Sequence, residues 1–135
     1  MSLRKGRYFI DSNVFFYAKI GDKRYGRCCS RVIKKIYSRE IEAFIDSLTL
    51  LEVSNSMMKF RFPRDEVKNE INAILSLPIS VIEIRKEDVV ESLKMELNPY
   101  DALHLLISER LGAQVITADR DFDDFNRVDP CDPSL

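Results

Sequence analysis

The chain predicts an α/β domain: a three-layer sandwich around a central, mostly parallel sheet of four to five strands. Three observations carry this expectation. Short β-favouring segments alternate with helical ones from end to end. Two of the strand segments, Arg7–Ile10 and Gln114–Thr117, are short and apolar, as central strands are. The length of 135 residues suits one domain, residues 1–135, able to bury roughly two-thirds of its unfolded surface. Right-handed crossovers would then bring every strand's carboxyl end to one edge of the sheet.

Residues Arg7–Ile10 read as the first strand, ending at Asp11. A helix over Ser12–Ala18 follows, with Asp11 or Ser12 able to cap it, and Gly21-Asp22-Lys23 breaks it. Tyr25–Ser38 predicts a second helix with an apolar stripe of Cys29, Val32, Ile33, Ile36 and Tyr37. Its opposite side carries Arg27, Arg31, Lys34 and Lys35. Glu42–Asp46 predicts the second strand, and Ser47 is expected to cap a helix through Lys59. Arg64 or Asp65 opens another helix to Ser76, with Val67, Ile71, Ile74 and Leu75 on its apolar side. Pro78 stops it, Ile79–Ile84 gives the third strand, and Lys86–Leu97 a helix of mixed polarity. Asn98-Pro99 is a strong start signal, a cap followed by proline at the first helical position. That helix runs to Leu111 and ends at Gly112. Gln114–Thr117 is the fourth strand, Asp119–Phe125 a turn or single coil, and Arg127–Val128 an added edge strand.

Composition narrows the classes. The chain is 45% hydrophobic and 32% charged, and no apolar run approaches the roughly 20 residues that span a membrane. Arg4, Lys5 and Arg7 precede Tyr8-Phe9-Ile10, but Asp11 interrupts the run, so a signal peptide is not expected. Cys28, Cys29 and Cys131 show no zinc spacing and read as unpaired thiols of a reducing cytoplasm. The net charge of −1 hides an asymmetry: residues 1–39 carry +9 and the remainder −10. The basic segment suits a polyanion, though solvated helix faces also collect charge.

The chemistry sits in four acids, Asp11, Glu52, Asp101 and Asp119, placed where strands feed helices or on the adjoining helices. Each has an ordinary explanation. Asp11 caps a helix, Glu52 shares a wet face with Thr49, Ser56 and Lys59, and Asp101 gains from a helix dipole. Asp119 and Asp121 lie in a turn, where Asp is common. Caps alone predict no common edge, however. In an open parallel sheet the carboxyl ends of the strands form the ligand crevice, and four segments would deliver carboxylates to it. Oxygen-only donors suit magnesium or manganese. Such an ion lowers the pKa of a bound water and offsets charge on a phosphate, so the pattern points to phosphodiester cleavage. A single histidine, His104, excludes multi-histidine zinc chemistry; three residues after Asp101, it reads as a structural residue near the sheet edge.

Four segments carry a resemblance: Ile10-Asp11-Ser12-Asn13, Leu51-Glu52-Val53, Tyr100-Asp101-Ala102-Leu103-His104, and Ile116-Thr117-Ala118-Asp119-Arg120-Asp121-Phe122. In order and spacing they resemble the signature blocks of PIN-domain ribonucleases, most of all the stand-alone VapC-type toxins. The last block is the most specific and the Glu52 block the least. The resemblance implies that Asp11, Glu52, Asp101 and Asp119 hold magnesium or manganese and carry catalysis. It makes Asp121 an auxiliary ligand and Ser12, Asn13 and Thr117 polar supports. It further implies a PIN-like fold, endoribonuclease activity, a homodimer, and an antitoxin partner. A glycine that often follows the helix glutamate in that family is replaced here by Asn55 and Ser56.

Around the acids, Arg27, Arg31, Lys34, Lys35 and Arg120 are candidate contacts to RNA phosphates. Met57, Met58, Phe60 and Phe62 suit core, a dimer contact or an antitoxin groove. Three rival functions remain open. One is a PIN nuclease of RNA processing without an antitoxin. Another is a PIN module that binds without cutting, against which the intact acids count. The third is a phosphohydrolase of the haloacid dehalogenase type, which needs a second Asp where Asn13 stands.

Overall fold

The computed structural model describes residues 5–135. Arg4, counted in the basic N-terminal segment, lies outside them. Five parallel strands form one sheet in the order β3-β2-β1-β4-β5: β1 Arg7–Ile10, β2 Glu42–Asp46, β3 Ile79–Ile82, β4 Gln114–Ile116 and β5 Arg127–Val128. Helices α1 (Ser12–Ile20), α2 (Gly26–Tyr37), α3 (Ser47–Lys59), α4 (Arg64–Leu75), α5 (Lys86–Ser92) and α6 (Pro99–Arg110) fill the connections.

The strands alternate their side chains between two cores, as a period of two requires. Ile10, Ala43, Ile45, Ile116 and Val128 pack with α1–α4 residues such as Phe15, Val32, Val53 and Ile74. Phe9, Phe44 and Val115 pack on the other face with Leu103, Leu105 and Ile107 of α6 and with Phe122. Two helical layers therefore sandwich the sheet. Each fully buried Ile or Phe stabilises by about 1.5–3 kcal/mol, so the central strands are held firmly from both sides.

Local chemistry sets the element ends. Asp11 is the N-cap of α1, its Oδ1 accepting the Ser12 amide at 2.7 Å. Gly21 closes α1 at φ 63°, a left-handed conformation that favours glycine. Asp46, rather than the expected Ser47, caps α3. Its extended backbone lets Oδ1 accept the Thr49 amide at 2.9 Å, while Thr49 Oγ1 accepts the Asp46 amide at 3.2 Å. Asn98 caps α6 with Pro99 behind it.

Other sequence expectations need correction. Helix α5 ends at Ser92, not Leu97, because the chain must turn before the Asn98-Pro99 start of α6. Strand β3 stops at Ile82, where its pairing with Asp46 ends. Tyr37 is exposed, since α2 fills its buried stripe with Cys29, Val32 and Ile36. Met57 is core, Phe62 packs against it, and Met58 and Phe60 are exposed. The cysteine expectation also fails: Cys28 of α2 and Cys131 beyond β5 form a disulfide across 103 residues, leaving buried Cys29 as the free thiol. Among the described residues, no helix is long and apolar enough to cross a membrane.

Candidate metal centre

Parallel pairing brings the chemistry to one edge. Ile10 pairs with Ile116, and the Asp11 amide donates to the Ile116 carbonyl at 3.0 Å, so Asp11 and the turn after β4 leave the sheet side by side. The chain proceeds from β1 to β2 and β3 on one side, then returns to β4 on the other side of β1. The strand order thus reverses between β1 and β4, which opens a crevice at their carboxyl ends. Asp46 and Glu52 reach the same edge from the end of β2 and the second turn of α3, and Asp101 from the first turn of α6.

A network of short hydrogen bonds orients these acids. Asp11 Oδ2 accepts the buried Thr117 hydroxyl at 2.7 Å and the Asn13 amide at 3.3 Å. Asn13 also donates to Thr117 Oγ1 at 3.0 Å and accepts from the Ala118 amide at 3.2 Å. Ser12 contributes mainly through its backbone, with its hydroxyl 3.5 Å from Asp11 Oδ1. Asn98 holds Asp101 twice: its Oδ1 accepts the Asp101 amide at 3.0 Å and its Nδ2 donates to Asp101 Oδ2 at 2.6 Å. Asp119 receives the Asp121 amide on Oδ1 at 2.9 Å, and its own amide donates to Thr117 Oγ1 at 3.0 Å. Arg127 donates from Nε to the Thr117 carbonyl at 3.0 Å, which fixes the turn that carries Asp119.

His104 is fully buried between two carboxylates. Its Nδ1 lies 2.6 Å from Asp46 Oδ2 and its Nε2 2.5 Å from Glu52 Oε1. A neutral imidazole has one N–H and can donate to only one of them. Both contacts are satisfied together when the ring is the imidazolium. Burial by itself would lower the imidazole pKa. The hydrogen bonds to Asp46 and Glu52 overcome it and lift the value to about 10.

The acids fall into two adjoining groups. Single donor atoms of Asp11, Glu52 and His104 lie within 4.8 Å of one another, as do those of Asp101, Asp119 and Asp121. Burial raises the Asp11 carboxyl, partly countered by the His104 charge and the Thr117 hydroxyl. Asp101 is raised to about 6, first by burial and then by the charges of Asp11 and Asp119, against the opposing Asn98 hydrogen bond. Two buried carboxyls that resist ionisation beside further acids are what a site for a cation looks like before the cation arrives. The donor set fits a hard divalent ion. Among the described residues, no donor reaches Glu52 Oε2, Asp101 Oδ1 or Asp119 Oδ2, so these oxygens are free to coordinate. Both His104 nitrogens are already engaged, which leaves oxygen ligands.

Beyond the acids, Arg27, Arg31 and Lys34 line an open groove of 800 Å³ with Gly21, Asp22, Lys23, Gly26 and Ser30; Lys35 does not line it. Arg120 is exposed and pairs with Asp123 at 3.4 Å. A second groove, of 590 Å³, runs along Glu52 between Leu48, Leu51, Asn55, Lys59 and Tyr100. Asp46, Asn98 and Arg127 escaped the sequence reading as site residues. Asp46 obeys the same rule that exposes Asp11, an acid ending a strand and capping the next helix, and could have been found by it. Arg127 carries no such signal.

A parallel α/β sheet whose strand order reverses beside an acidic crevice defines an open α/β fold with its ligand edge at the strands' carboxyl ends. Within that class the chain belongs to the PIN-domain family, whose sequence profile matches residues 8–128. No curated protein sequence matches it. Solved structures share the fold. The Mycobacterium tuberculosis toxin VapC20 superposes with a TM-score of 0.72 at 14% identity, over 87% of this chain and 93% of that one. The toxin–antitoxin complex from Klebsiella pneumoniae gives 0.68 at 18%, over 91% and 97%. VapBC2 from Rickettsia felis gives 0.64 at 14%, over 88% and 92%.

Proposed function

We propose that this protein is a magnesium- or manganese-dependent endoribonuclease, the toxin of a toxin–antitoxin pair. The observation that carries the proposal is a pair of acidic groups, one with Asp11 and Glu52 and the other with Asp101 and Asp119, close enough that the charges of Asp11 and Asp119 raise the Asp101 carboxyl. In this reading the four acids are the metal ligands and Asp121, exposed at the rim, is an auxiliary one. A bound divalent ion supplies a water of lowered pKa and offsets charge on the phosphate. The chain's own part is positional. Thr117, Ser12 and Asn13 fix Asp11, Asn98 fixes Asp101, and Arg127 fixes the Asp119 turn. The acids would repel nucleic acid on their own, so the substrate's phosphates need cations nearby. Arg27, Arg31 and Lys34 offer them along one groove, with Lys35 and Arg120 at other positions.

RNA as substrate is supported by the fold shared with VapC20, described as a toxin that cleaves the sarcin-ricin loop. An antitoxin partner is supported by the two similar structures that contain toxin with antitoxin, and by exposed Met58 and Phe60 at the end of α3. The exposed Val89 and Val90 of α5, with Leu93 just after it, support a homodimer. On this reading the site of action is the cytoplasm, against which the Cys28–Cys131 disulfide weighs, and residues 1–135 act as one domain. The test is cleavage of single-stranded RNA in magnesium by the parent and by Asp11→Asn. The parent should cut and the variant should lose about 100-fold or more of the rate, several kcal/mol of barrier. Equal rates would refute the proposal.

A further inference from the structure

His104 is not one of the four acids, yet it ties three elements together at their edge. It lies three residues after Asp101, one turn along the same face of α6. Its ring reaches back to Asp46 at the end of β2 and forward to Glu52 on α3. The same Asp46 carboxylate caps α3: Oδ1 takes the Thr49 amide and hydroxyl while Oδ2 faces His104. Asp46 is therefore locked from two sides and is itself fully buried. Phe9 packs against the imidazole with ring centroids 5.2 Å apart, which removes the ring's remaining freedom.

Glu52 depends on this arrangement. A glutamate has three rotatable side-chain bonds, and the Glu52 side chain is 25% exposed. Left alone it would sample several rotamers toward the open groove beside Leu51 and Tyr100. Among the described residues, the only side chain that hydrogen-bonds it is His104, which takes Oε1 and leaves Oε2 directed to other uses.

We propose that His104 is a positioning residue: held by Asp46, it holds Glu52 in the acid cluster and sets the spacing between the α3 and α6 ligands. Among the described residues, the Asp46 side chain makes no hydrogen bond to a proposed ligand and acts through His104. This inference rests on the proposed metal centre and deepens it. The arrangement parallels metal-site supports in general, where a partner one bond removed from the ligand fixes its orientation and its loss weakens metal binding 10–100-fold.

The test is a double-mutant cycle on Asp46→Asn and Glu52→Gln. Two quantities are measured: the manganese dissociation constant of the folded, initially metal-free protein, and its melting temperature in EDTA. If His104 acts through Glu52, Asp46→Asn weakens manganese binding about tenfold in the parent and less than twofold in the Glu52→Gln background. The melting temperature should fall in both backgrounds, since both lose the Asp46 charge beside His104, while Asn keeps the α3 cap through its Oδ1. Losses in affinity that multiply across the cycle, or an unchanged affinity in Asp46→Asn, overturn the inference. Should Asp46→Asn fail to fold, His104→Gln and His104→Leu carry the same comparison. The amide of His104→Gln can still donate to Glu52, so that variant should bind manganese more tightly than His104→Leu when Glu52 is present, and equally when Glu52→Gln is added. Equal affinities with Glu52 present overturn the inference. A parent with no saturable manganese binding overturns the metal centre and this inference together, whereas saturable binding with multiplying losses overturns this inference alone.

Discussion

Asp101→Asn should make the metal-free protein more stable while abolishing its function. The Asp101 carboxyl is raised from 3.8 to about 6, chiefly by burial. A shift of that size corresponds to about 3 kcal/mol of unfavourable free energy for the ionised form in the folded state. Asp101 stands at the border of burial, so solvent screens part of this and about 1–2 kcal/mol is a fair expectation. Asn stands in for the protonated acid and keeps an acceptor for Asn98, so the gain survives substitution. For a chain of this length it corresponds to about 5 °C in melting temperature. The sign follows from proton linkage. The folded protein takes up a proton between about pH 6 and the unfolded value of 3.8, so the parent gains stability as pH falls through that window. The advantage of Asp101→Asn should therefore be full above about pH 6 and gone near pH 4. Melts in EDTA at pH 7.5 and pH 4 measure it. Saturating manganese should invert the order, because an ion at 100 times its Kd adds about 2.7 kcal/mol to a protein that binds it. A variant less stable than the parent in EDTA at pH 7.5 would refute the reasoning.

Three other outcomes follow from the same structure. Manganese affinity, read by calorimetry, should fall about tenfold per pH unit below about pH 6, as Asp101 takes up its proton. His104→Leu leaves buried Asp46 without its cation and should cost about 3–5 kcal/mol in urea unfolding. Because the imidazole is raised from 6.5 to about 10, its contribution is complete below about pH 6.5 and is lost as pH rises through about 10, so the gap to His104→Leu should narrow over that range. Reducing the Cys28–Cys131 disulfide, or replacing Cys131 by Ser, should lower stability by about 2–4 kcal/mol, since the closed loop is long.

What could be read from the sequence was what local rules govern. Strand segments beginning at Arg7, Glu42, Ile79, Gln114 and Arg127 were each visible as β-favouring runs between turn signals, and all five strands exist. Asp11 and Asp119 were legible as site candidates because a parallel strand must end at the ligand edge. Asp46 obeyed that rule too, but the adjacent Ser47 is an equally good cap, and composition cannot choose between neighbours. The His104 contacts could not be read, since they join residues 58 and 52 positions apart. The disulfide was hidden for the same reason: no spacing rule links a first helical turn of α2 to a residue 103 positions later. The mixed polarity of Lys86–Leu97 suits a helix surface throughout, but after Ser92 the chain turns to present Asn98 to Asp101.

The most direct test of the metal centre is anomalous diffraction from crystals soaked in manganese. A manganese peak bounded by the carboxylates of Asp11, Glu52, Asp101 and Asp119 is the expected result. A well-ordered crevice with no peak, or manganese bound only elsewhere on the surface, would contradict it.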